Sequence, residues 1–515
     1  MTILWADDEI DLLKPHIIFL NARGYDVVTA CSGADAVDLV REQHFDLVFL
    51  DEHMPGISGL EALERIKAIA PQTPVVMITK SEEEEIMDQA VGRQIADYLI
   101  KPVNPHQILM SLKKLLHGSE LRQESVAERY RREFSALGAG IDSCADIEGW
   151  KCLYRRLAEW QMQIGDARDA SLDEMLDMQM CDADKAFSRF MCRNYLAMLE
   201  ADPRTRPVMS PDIIPRRVFP LLDSGQKVCL MVIDNFRLDQ WLAVKPMVAE
   251  MFAIESEELG CSILPTATQY ARNAIFSGLM PAQIAKMFPQ FWADEHSAES
   301  KNLNERPLLE LLLGRYRRNC RLGYTKISDS AAGEKLVRNY ASMSENDLNV
   351  VVVNFIDMLS HARTEQRMIR ELAATEAAYR SLTASWFGHS WMLPLLRRIA
   401  ASGARLVIAT DHGIVRVSVP VKVVGDRSTT ASLRYKGGKS LAYNPRRVFE
   451  VKHPEQFGLP APSVSSAYIF ATGRDFFVYP NNQNHYSQYY EGTFQHGGIS
   501  MEEMLVPLIT LTPKK

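Results

Sequence analysis

The sequence predicts an α/β protein in three parts: a doubly wound five-stranded sheet at the N-terminus, a central helical bundle and a larger C-terminal α/β domain. Three observations lead to this prediction. Strand-like apolar runs alternate with amphipathic helical stretches over residues 1–118, helical periodicity alone fills residues 119–205, and the alternation returns over residues 206–515. At 515 residues the chain is long enough for about three domains.

Composition and charge place the chain among globular proteins. It is 47% hydrophobic and 24% charged, which is typical of folded domains and excludes a disordered or fibrous chain. Residues 1–118 carry a net charge of −9, residues 119–205 carry −5 and residues 206–515 carry +7. The acidic N-terminal part would repel nucleic acid, whereas the mildly basic C-terminal part would tolerate an anionic substrate.

Neither a membrane span nor a signal peptide is expected. No apolar run reaches the roughly 18 residues that a membrane helix needs, and the chain begins directly with a strand-like run at Ile3–Trp5. We therefore expect a cytoplasmic protein without membrane insertion. The eight cysteines form no Cys-x-x-Cys pair, so they predict reduced thiols rather than a disulfide framework or a zinc knuckle.

Polar residues follow the strand-like runs of the first 118 residues. The five predicted strands are Ile3–Ala6, Tyr25–Ala30, Phe45–Leu50, Thr73–Thr79 and Ala96–Ile100. Asp7 and Asp8 follow the first strand, Asp51 the third and Lys101 the fifth, while Thr79 ends the fourth. Three carboxylates that converge at the carboxyl edge of a parallel sheet suit Mg²⁺. The lysine and the threonine hydroxyl could then hold a phosphoryl group on one carboxylate.

Four segments in this part resemble a two-component receiver domain over residues 1–118: ILWADDE, FLDEHMPGISG, MITKS and DYLIKP. The resemblance implies that Asp51 accepts a phosphoryl group from a histidine kinase. It also implies that Asp7 and Asp8 hold Mg²⁺ together with Asp51, and that Lys101 pairs with the phosphoryl group.

The same resemblance implies a switch that responds to phosphorylation. Thr79 and Tyr98 are the switch residues by their positions in the matched segments. Phosphorylation is expected to repack them and to drive homodimerisation of the receiver. The acidic run Glu82–Glu85 is expected to begin a solvated helix, and it could alternatively shape a dimer face.

The central segment predicts helices at Glu120–Leu137, Ile147–Gly165 and Leu172–Leu199, with apolar residues spaced at three and four. Three helices with short connections predict a small bundle. No helix-turn-helix with a basic recognition helix is present in this acidic segment. We therefore expect no direct sequence-specific binding to DNA.

Potential metal ligands follow three predicted strands of the C-terminal part, at Val228–Ile233, Val350–Phe355 and Arg405–Ala409. Their near-continuous apolar runs are typical of parallel strands that are buried on both faces. The candidate ligands that follow them, or lie near the C-terminus, are Asp234, Asp357, His361, Asp411, His412 and His496. Sets of two His with one Asp, or of two Asp with one His and a hydroxyl, are ligands that zinc accepts.

The order of these residues resembles the alkaline phosphatase superfamily, with the spacing of its phosphodiesterase branch. LPTATQYARNAIFSGLMP at 264–281 matches the nucleophile loop of that superfamily. VIDNFRLDQW and HGGISMEEMLVPL point to the PglZ-type subfamily, so that the resemblance covers residues 206–515. On this register Thr268 is the nucleophile, and Thr266 is the alternative.

The resemblance also implies two Zn²⁺ ions. One would be held by Asp357, His361 and His496, and the other by Asp234, Asp411, His412 and the Thr268 hydroxyl. Such a pair of ions activates a nucleophile and stabilises negative charge on the phosphoryl oxygens.

The substrate is less strongly indicated. A segment rich in Gly, Asn, Tyr and Lys separates His412 from His496. Within it Lys436 and Lys439 could hold a phosphate, and tyrosines could stack on bases. The alternative is a solvated capping subdomain. We expect a phosphodiester of a nucleotide or oligonucleotide as the substrate.

The order of receiver (1–118), helical bundle (119–205) and PglZ-type domain (206–515) closely resembles PorX-type response regulators. That resemblance implies a membrane histidine kinase (PorY-like) and an alternative sigma factor as partners, in bacteria with type IX secretion and gliding. The alternative function is a phosphorylation-gated scaffold that binds a sigma factor through a non-catalytic phosphatase-like domain.

Overall fold

The computed structural model describes residues 1–71, 73–79, 95–116, 118–167, 169–293, 302–365, 375–426, 429–463, 465–480 and 483–514. The chain divides into two compact units, Met1–Arg129 and Tyr130–Lys515. The acidic run Glu82–Glu85 lies outside the described residues. Among the described helices, none is long and apolar enough to cross a membrane.

The first unit contains a parallel sheet of five strands. The strands are β1 (Thr2–Ala6), β2 (Asp26–Ala30), β3 (Leu47–Asp51), β4 (Val75–Thr79) and β5 (Asp97–Ile100). Their order across the sheet is β2-β1-β3-β4-β5. The helices are α1 (Lys14–Asn21), α2 (Gly33–Glu42), α3 (Gly59–Ile69) and α4 (Pro105–Leu116), with a 3₁₀ turn at Ile10–Leu13. The predicted doubly wound sheet is confirmed.

Successive side chains along each strand point to opposite faces of this sheet, and apolar side chains on each face form a hydrophobic core. Leu4 and Val48 pack on the face covered by α2 and α3. Their neighbours Trp5 and Phe49 pack on the opposite face, with Ile108 of α4. The serines that precede α2 and α3 cap these helices, since each accepts a hydrogen bond from a backbone N–H in the first turn.

Three long helices follow, and they confirm the predicted helical middle. They are α5 (Gly118–Ser143), α6 (Ile147–Ala167) and α7 (Ala170–Glu200). Trp150 of α6 packs against Phe187 of α7 with ring centroids 5.5 Å apart. Helix α7 also contacts the C-terminal domain, because Ser188 Oγ donates to the Ile499 carbonyl (3.1 Å) and Tyr195 Oη accepts from the Leu264 N–H (2.8 Å).

The C-terminal domain has a six-stranded sheet of order β7-β19-β10-β6-β9-β8. The strands are β6 (Val228–Ile233), β7 (Phe252–Cys261), β8 (Leu322–Ile327), β9 (Leu348–Val353), β10 (Arg405–Ala409) and β19 (Leu505–Pro513). Strands β8, β9, β6 and β10 are parallel, and β19 lies antiparallel between β10 and β7. All three predicted strands are present, and the one predicted at Val350–Phe355 begins and ends two residues earlier.

Helices surround this sheet. They are α8 (Phe219–Asp223), α9 (Leu238–Ala249), α10 (Thr268–Ser277), α11 (Pro281–Met287), α12 (Glu305–Arg315), α13 (Ser330–Met343), α14 (Phe355–Glu365), α15 (Glu376–His389), α16 (Met392–Ala401), α17 (Gln483–Tyr490) and α18 (Met501–Met504). Shorter 3₁₀ or π turns lie at Ser210–Asp212, Ile214–Val218, Pro289–Phe291, Pro445–Arg447 and Pro454–Phe457.

The segment between His412 and His496 contains small sheets. Its strands and their partners are β11 (Val415–Arg416), β12 (Val419–Val424), β13 (Tyr435–Gly438), β14 (Ala442–Tyr443), β15 (Phe449–Val451), β16 (Ala467–Phe470), β17 (Asp475–Val478) and β18 (Phe494–Gln495). They form the orders β14-β12-β17 and β13-β16-β15 and the pair β11-β18. Buried residues such as Val421, Ile469 and Phe477 give this segment a core of its own.

Candidate functional sites

The first candidate site lies at the carboxyl edge of the N-terminal sheet. Asp7 follows β1, Asp51 ends β3 and Lys101 follows β5. Lys101 Nζ lies 2.9 Å from Asp7 Oδ2 and 3.0 Å from Asp51 Oδ1. Oxygens of Asp7, Asp8 and Asp51 all lie within 4.8 Å of one another, with Asp8 exposed and the other two buried.

Burial raises the pKa of Asp51, and the neighbouring Asp7 carboxylate adds to this, while the hydrogen bond from Lys101 opposes it. Burial would lower the pKa of Lys101, but its hydrogen bonds to Asp7 and Asp51 outweigh burial and raise it. The lysine is therefore held as a cation among carboxylates. An all-oxygen donor set with one exposed member fits Mg²⁺, which retains several waters when it is bound.

Of the two predicted switch residues, Thr79 is hydrogen-bonded and Tyr98 is exposed. The Thr79 hydroxyl donates to a carboxylate oxygen of Glu52, the residue after Asp51. Tyr98 is 41% exposed. Glu52 was not predicted as part of the site, although its place directly after the phosphoacceptor candidate was a signal for it.

The second candidate site lies at the carboxyl edge of the six-stranded sheet. Ala409 of β10 pairs with Val232 of β6, so that Asp411 and Asp234 both lie two residues beyond paired positions. Ligand atoms of Asp234, Asp411 and His412 all lie within 4.8 Å of one another, and all three residues are buried.

Thr268, the first residue of α10, faces this cluster. Its Oγ1 lies 3.1 Å from His412 Nε2 and 3.5 Å from Asp234 Oδ1. His412 Nδ1 lies 3.1 Å from the Gly413 carbonyl oxygen, which can only accept a hydrogen bond. Nδ1 therefore carries the proton, and the lone pair of Nε2 is directed into the cluster, as metal ligation requires.

A buried arginine that the sequence did not reveal as part of the site joins the two aspartates. The Arg272 guanidinium contacts a carboxylate oxygen of Asp234, and its Nε lies 2.9 Å from Asp411 Oδ2. Its Nη1 lies 3.3 Å from Glu305 Oε1. Arg272 is four residues after Thr268 and hence on the same face of α10. That four-residue spacing from Thr268 was the available signal.

Burial and Arg272 set opposite pKa shifts for the two aspartates. Burial raises the pKa of Asp234 well above its usual range, and the arginine offsets this only in part. Burial also acts to raise the pKa of Asp411, but Arg272 and His412 outweigh it and hold the pKa well below the usual range. Of the two aspartates, Asp411 is therefore the one whose ionised form this pocket favours more strongly.

Two of the three remaining predicted ligands, Asp357 and His496, adjoin this cluster. Asn235, whose φ is 64°, has its Nδ2 3.3 Å from Asp357 Oδ1, and its backbone N–H donates to Asp411 Oδ1 (3.3 Å). The His496 ring stacks on the His412 ring with centroids 4.2 Å apart. His361 lies in α14, and its side chain lies outside the described part of the structure.

Thr266, the alternative nucleophile, is engaged in holding the loop that follows His496. It is fully buried, its hydroxyl donates to the Gly498 carbonyl (2.9 Å) and the same oxygen accepts from the Gly497 N–H (3.0 Å). Glu503 holds the same loop through the Gly498 N–H (2.8 Å). These contacts leave Thr268 as the hydroxyl that faces the ligand cluster.

The two lysines predicted to bind substrate occupy different environments. Lys436 is 2% exposed, and its Nζ donates to the Thr430 carbonyl (2.8 Å). This burial leaves its ammonium group directed into the protein rather than towards a phosphate in solvent. Lys439 is exposed. No described contact joins either lysine to the cluster around Thr268.

The donor chemistry of the second cluster fits a divalent metal ion. It offers carboxylate oxygens and an imidazole nitrogen whose tautomer is fixed by a backbone carbonyl. These are donors that zinc accepts. Asp234, Asp411 and His412 with Thr268 would form one ligand set, while Asp357 and His496 lie next to it for a second.

Comparison with known families matches three successive segments of the chain. Residues 3–113 match the response regulator receiver domain, and residues 120–199 match the PorX response regulator linker domain. Residues 213–511, more than half of the chain, match the "BREX system PglZ alkaline phosphatase-like domain".

Several curated relatives are similar to this chain over about a quarter of its length. The alginate biosynthesis transcriptional regulatory protein AlgB of Pseudomonas aeruginosa is 34% identical over 143 residues, which is 27% of this chain and 31% of AlgB. The transcriptional regulatory protein ZraR of Escherichia coli is 38% identical over 126 residues, 24% of this chain and 29% of ZraR. The chain thus spans about a third of the length of these curated relatives.

Solved structures of receiver and chemotaxis proteins are also similar to part of the chain. The chemotaxis protein CheY4 of Vibrio cholerae is 27% identical and covers 22% of this chain and 98% of its own, with a TM-score of 0.22. A receiver domain protein from Clostridium thermocellum is 28% identical over 23% of this chain and 97% of its own, also with a TM-score of 0.22.

The family matches identify the chain. With a receiver, a PorX linker domain and a PglZ domain in succession, the chain belongs to the PglZ alkaline phosphatase-like family and is a PorX-type response regulator.

Proposed function

We propose that phosphorylation of Asp51 controls a zinc-dependent phosphodiesterase in the C-terminal domain, which acts on nucleotide or oligonucleotide phosphodiesters. The convergence of Asp234, Asp411 and His412 on the Thr268 hydroxyl is the observation that carries this proposal. A binding surface alone would need no buried carboxylates and imidazole around a hydroxyl. We also propose the domain boundaries 1–118, 119–205 and 206–515.

The chain's own residues would act as follows. Thr268 Oγ1, held between His412 and Asp234, gives up its proton to solvent and attacks phosphorus, so that a Thr–O–P bond forms while the bond to the leaving alkoxide breaks and that oxygen takes up a proton. Water then cleaves the Thr–O–P bond, which releases a phosphomonoester and restores the threonine hydroxyl. Because Thr268 begins α10, unpaired N–H groups of the first helical turn lie beside the phosphoryl oxygens. Zinc ions held by the clustered side chains would supply Lewis-acid stabilisation of the negative charge.

Replacement of the nucleophile tests this proposal. We expect Thr268→Ala to lower hydrolysis of bis-p-nitrophenyl phosphate by a factor of about 10⁴ or more, because the Thr268 hydroxyl is the one that lies against both His412 and Asp234. Thr268→Ser, the matched control, retains a hydroxyl and is expected to keep measurable activity. Wild-type protein is expected to hydrolyse the diester faster than p-nitrophenyl phosphate.

Two outcomes would contradict the phosphodiesterase. Undiminished diester hydrolysis by Thr268→Ala would exclude Thr268 as the nucleophile. Zinc binding without turnover of either ester, even with Asp51 phosphorylated, would instead favour the scaffold, whose partner would be a sigma factor. The same ester comparison therefore distinguishes an enzyme from a binding protein.

We propose that a PorY-like membrane histidine kinase phosphorylates the receiver, that phosphorylation produces a homodimer, and that the protein is cytoplasmic and regulates type IX secretion and gliding. The receiver family supports the kinase, and the PorX linker match supports the system. The Tyr98 ring is exposed and the Thr79 hydroxyl bonds to Glu52, so both residues could change position when Asp51 is phosphorylated.

A phosphate mimic tests dimerisation. Beryllofluoride with Mg²⁺ is expected to double the mass in light scattering for wild type but not for Asp51→Asn. An unchanged wild-type mass would contradict dimerisation.

A further inference from the structure

A strongly basic cavity lies between helix α7 and the small sheets of the C-terminal domain. Its volume is about 580 Å³, and its lining contains none of the residues of the two candidate sites. Six cationic side chains line it: Lys185, Arg189 and Arg193 from α7, and Arg446, Arg447 and Arg474 from the C-terminal domain. The lining contains one carboxylate, that of Asp475.

Three of these cations have acidic partners and three do not. Arg447 pairs with Asp475 (2.9 Å), Arg474 with Asp177 (2.8 Å) and Lys185 with Asp182 (3.2 Å). Within the described part of the chain, the side chains of Arg189, Arg193 and Arg446 make no hydrogen bond or ion pair, and all three are exposed. The cavity therefore carries a positive charge that the described protein groups do not neutralise.

One guanidinium is also partly unsatisfied. The Arg474 side chain is only 16% exposed, and its Nε is buried without a hydrogen-bond partner among the described residues. A buried unpaired donor on a cation is costly, which adds to the cost of gathering positive charge in this wall of the cavity. Like charges gathered from two separate elements also repel one another unless an anion lies between them.

The kind of anion follows from the lining. Guanidinium groups match the geometry of phosphate oxygens through paired hydrogen bonds. The space and the number of cations exceed what one phosphate group needs. The lining contains no aromatic side chain, so it lacks the stacking platform with which proteins bind the bases of single-stranded nucleic acid.

We propose that this cavity binds a small ligand with two or more linked phosphate groups, recognised by its phosphate oxygens. The ligand would join α7 to the C-terminal domain. It would also lie close to the loop of the second candidate site, because Ser188 in the cavity wall bonds to the carbonyl of Ile499, three residues after His496. Inorganic polyphosphate and a nucleoside polyphosphate share the required chemistry.

Calorimetric titration of the full-length protein with tripolyphosphate, ATP and inorganic phosphate tests the proposal. We expect tripolyphosphate to bind at least tenfold more tightly than phosphate. Equal affinity for ATP would identify the phosphate chain as sufficient, and tighter binding of ATP would identify a nucleoside polyphosphate, so both results support the site. The combined variant R189Q/R193Q/R446Q should weaken binding by about tenfold for each arginine removed, and these residues are exposed, so the fold should persist.

Two controls make the result decisive. The variant R397Q/R398Q/K335Q removes three exposed cations elsewhere on the same unit and should bind tripolyphosphate as the wild type does. Asp411→Asn alters the second candidate site and should also leave binding unchanged. Retention of binding by R189Q/R193Q/R446Q, an equal loss in the surface control, or a loss confined to Asp411→Asn would each overturn the proposal. None of these outcomes depends on whether the protein hydrolyses phosphodiesters.

Discussion

Replacement of Arg272 tests whether this buried cation stabilises the carboxylates of the second candidate site. Its guanidinium is fully buried and contacts the carboxylates of Asp234, Asp411 and Glu305. Arg272→Gln keeps a polar side chain of similar length but removes the cation. The variant therefore leaves buried carboxylates without their main counter-charge.

The remaining contacts of each carboxylate set the size of the effect. Loss of one partner of a buried ion pair costs about 3–5 kcal/mol. Glu305 would still have Lys326 Nζ at 3.1 Å, and Asp411 would still accept from the Asn235 and His412 N–H groups at 3.3 and 3.1 Å. Two of the three carboxylates therefore keep a partner, and Asp234 is the one that loses most of its counter-charge. For this reason we expect a loss near the lower limit, about 3 kcal/mol in the free energy of unfolding.

Urea unfolding followed by tryptophan fluorescence measures this loss, because six of the seven tryptophans lie within residues 130–515. The matched control is Arg338→Gln, which removes an exposed arginine whose Nη1 is 3.8 Å from Glu334 and should change stability by no more than about 0.5 kcal/mol. Zinc that binds only the folded protein should raise the unfolding midpoint of both variants. A loss below about 1 kcal/mol for Arg272→Gln, no larger than a surface effect, would mean that the buried guanidinium does not stabilise these carboxylates.

Two further predictions use the same unfolding assay. Burial lowers the pKa of Lys436 to about 8 from a usual value of 10.5, so the cost of burying its charge is fully present below pH 8 and is relieved as the pH rises to 10.5. The wild type should therefore gain about 1 kcal/mol relative to Lys436→Met between pH 7 and pH 9, and a constant difference would contradict the shift. Glu503→Gln removes the counter-charge of the fully buried Arg434 and should cost about 3 kcal/mol; an unchanged midpoint would contradict a structural role for this pair.

The parts of the fold that follow from sequence are those in which the local pattern is strong. Strands β6, β9 and β10 are buried on both faces, so that their apolar runs identify them. Strand β8 is an edge strand with mostly half-buried residues, and β7 is an edge strand with several glutamates. Neither strand has a clear hydrophobic pattern in its sequence. Each is placed in the sheet by pairing with a neighbouring strand, which sequence reasoning does not show.

Some residues of the second candidate site were predictable from the sequence and others were not. Carboxylates and histidines that directly follow strands were predictable, since the edge of a parallel sheet gathers them. Arg272 and Arg434 were not, because a basic residue in a sequence usually indicates solvent exposure, and only the tertiary fold places these two among carboxylates. Lys436 shows the converse. Its glycine neighbours gave it the appearance of a phosphate contact, but pairing of β13 with β16 buries it.

Metal-dependent phosphodiester hydrolysis by the cluster around Thr268 can be tested with bis-p-nitrophenyl phosphate. The protein is stripped with a chelator and then titrated with zinc. We expect stripped wild type to be inactive, activity to reach a plateau at about two equivalents of zinc, and Asp411→Asn not to recover. Activity that survives stripping, or zinc that binds without restoring hydrolysis, would contradict metal-dependent hydrolysis by this cluster.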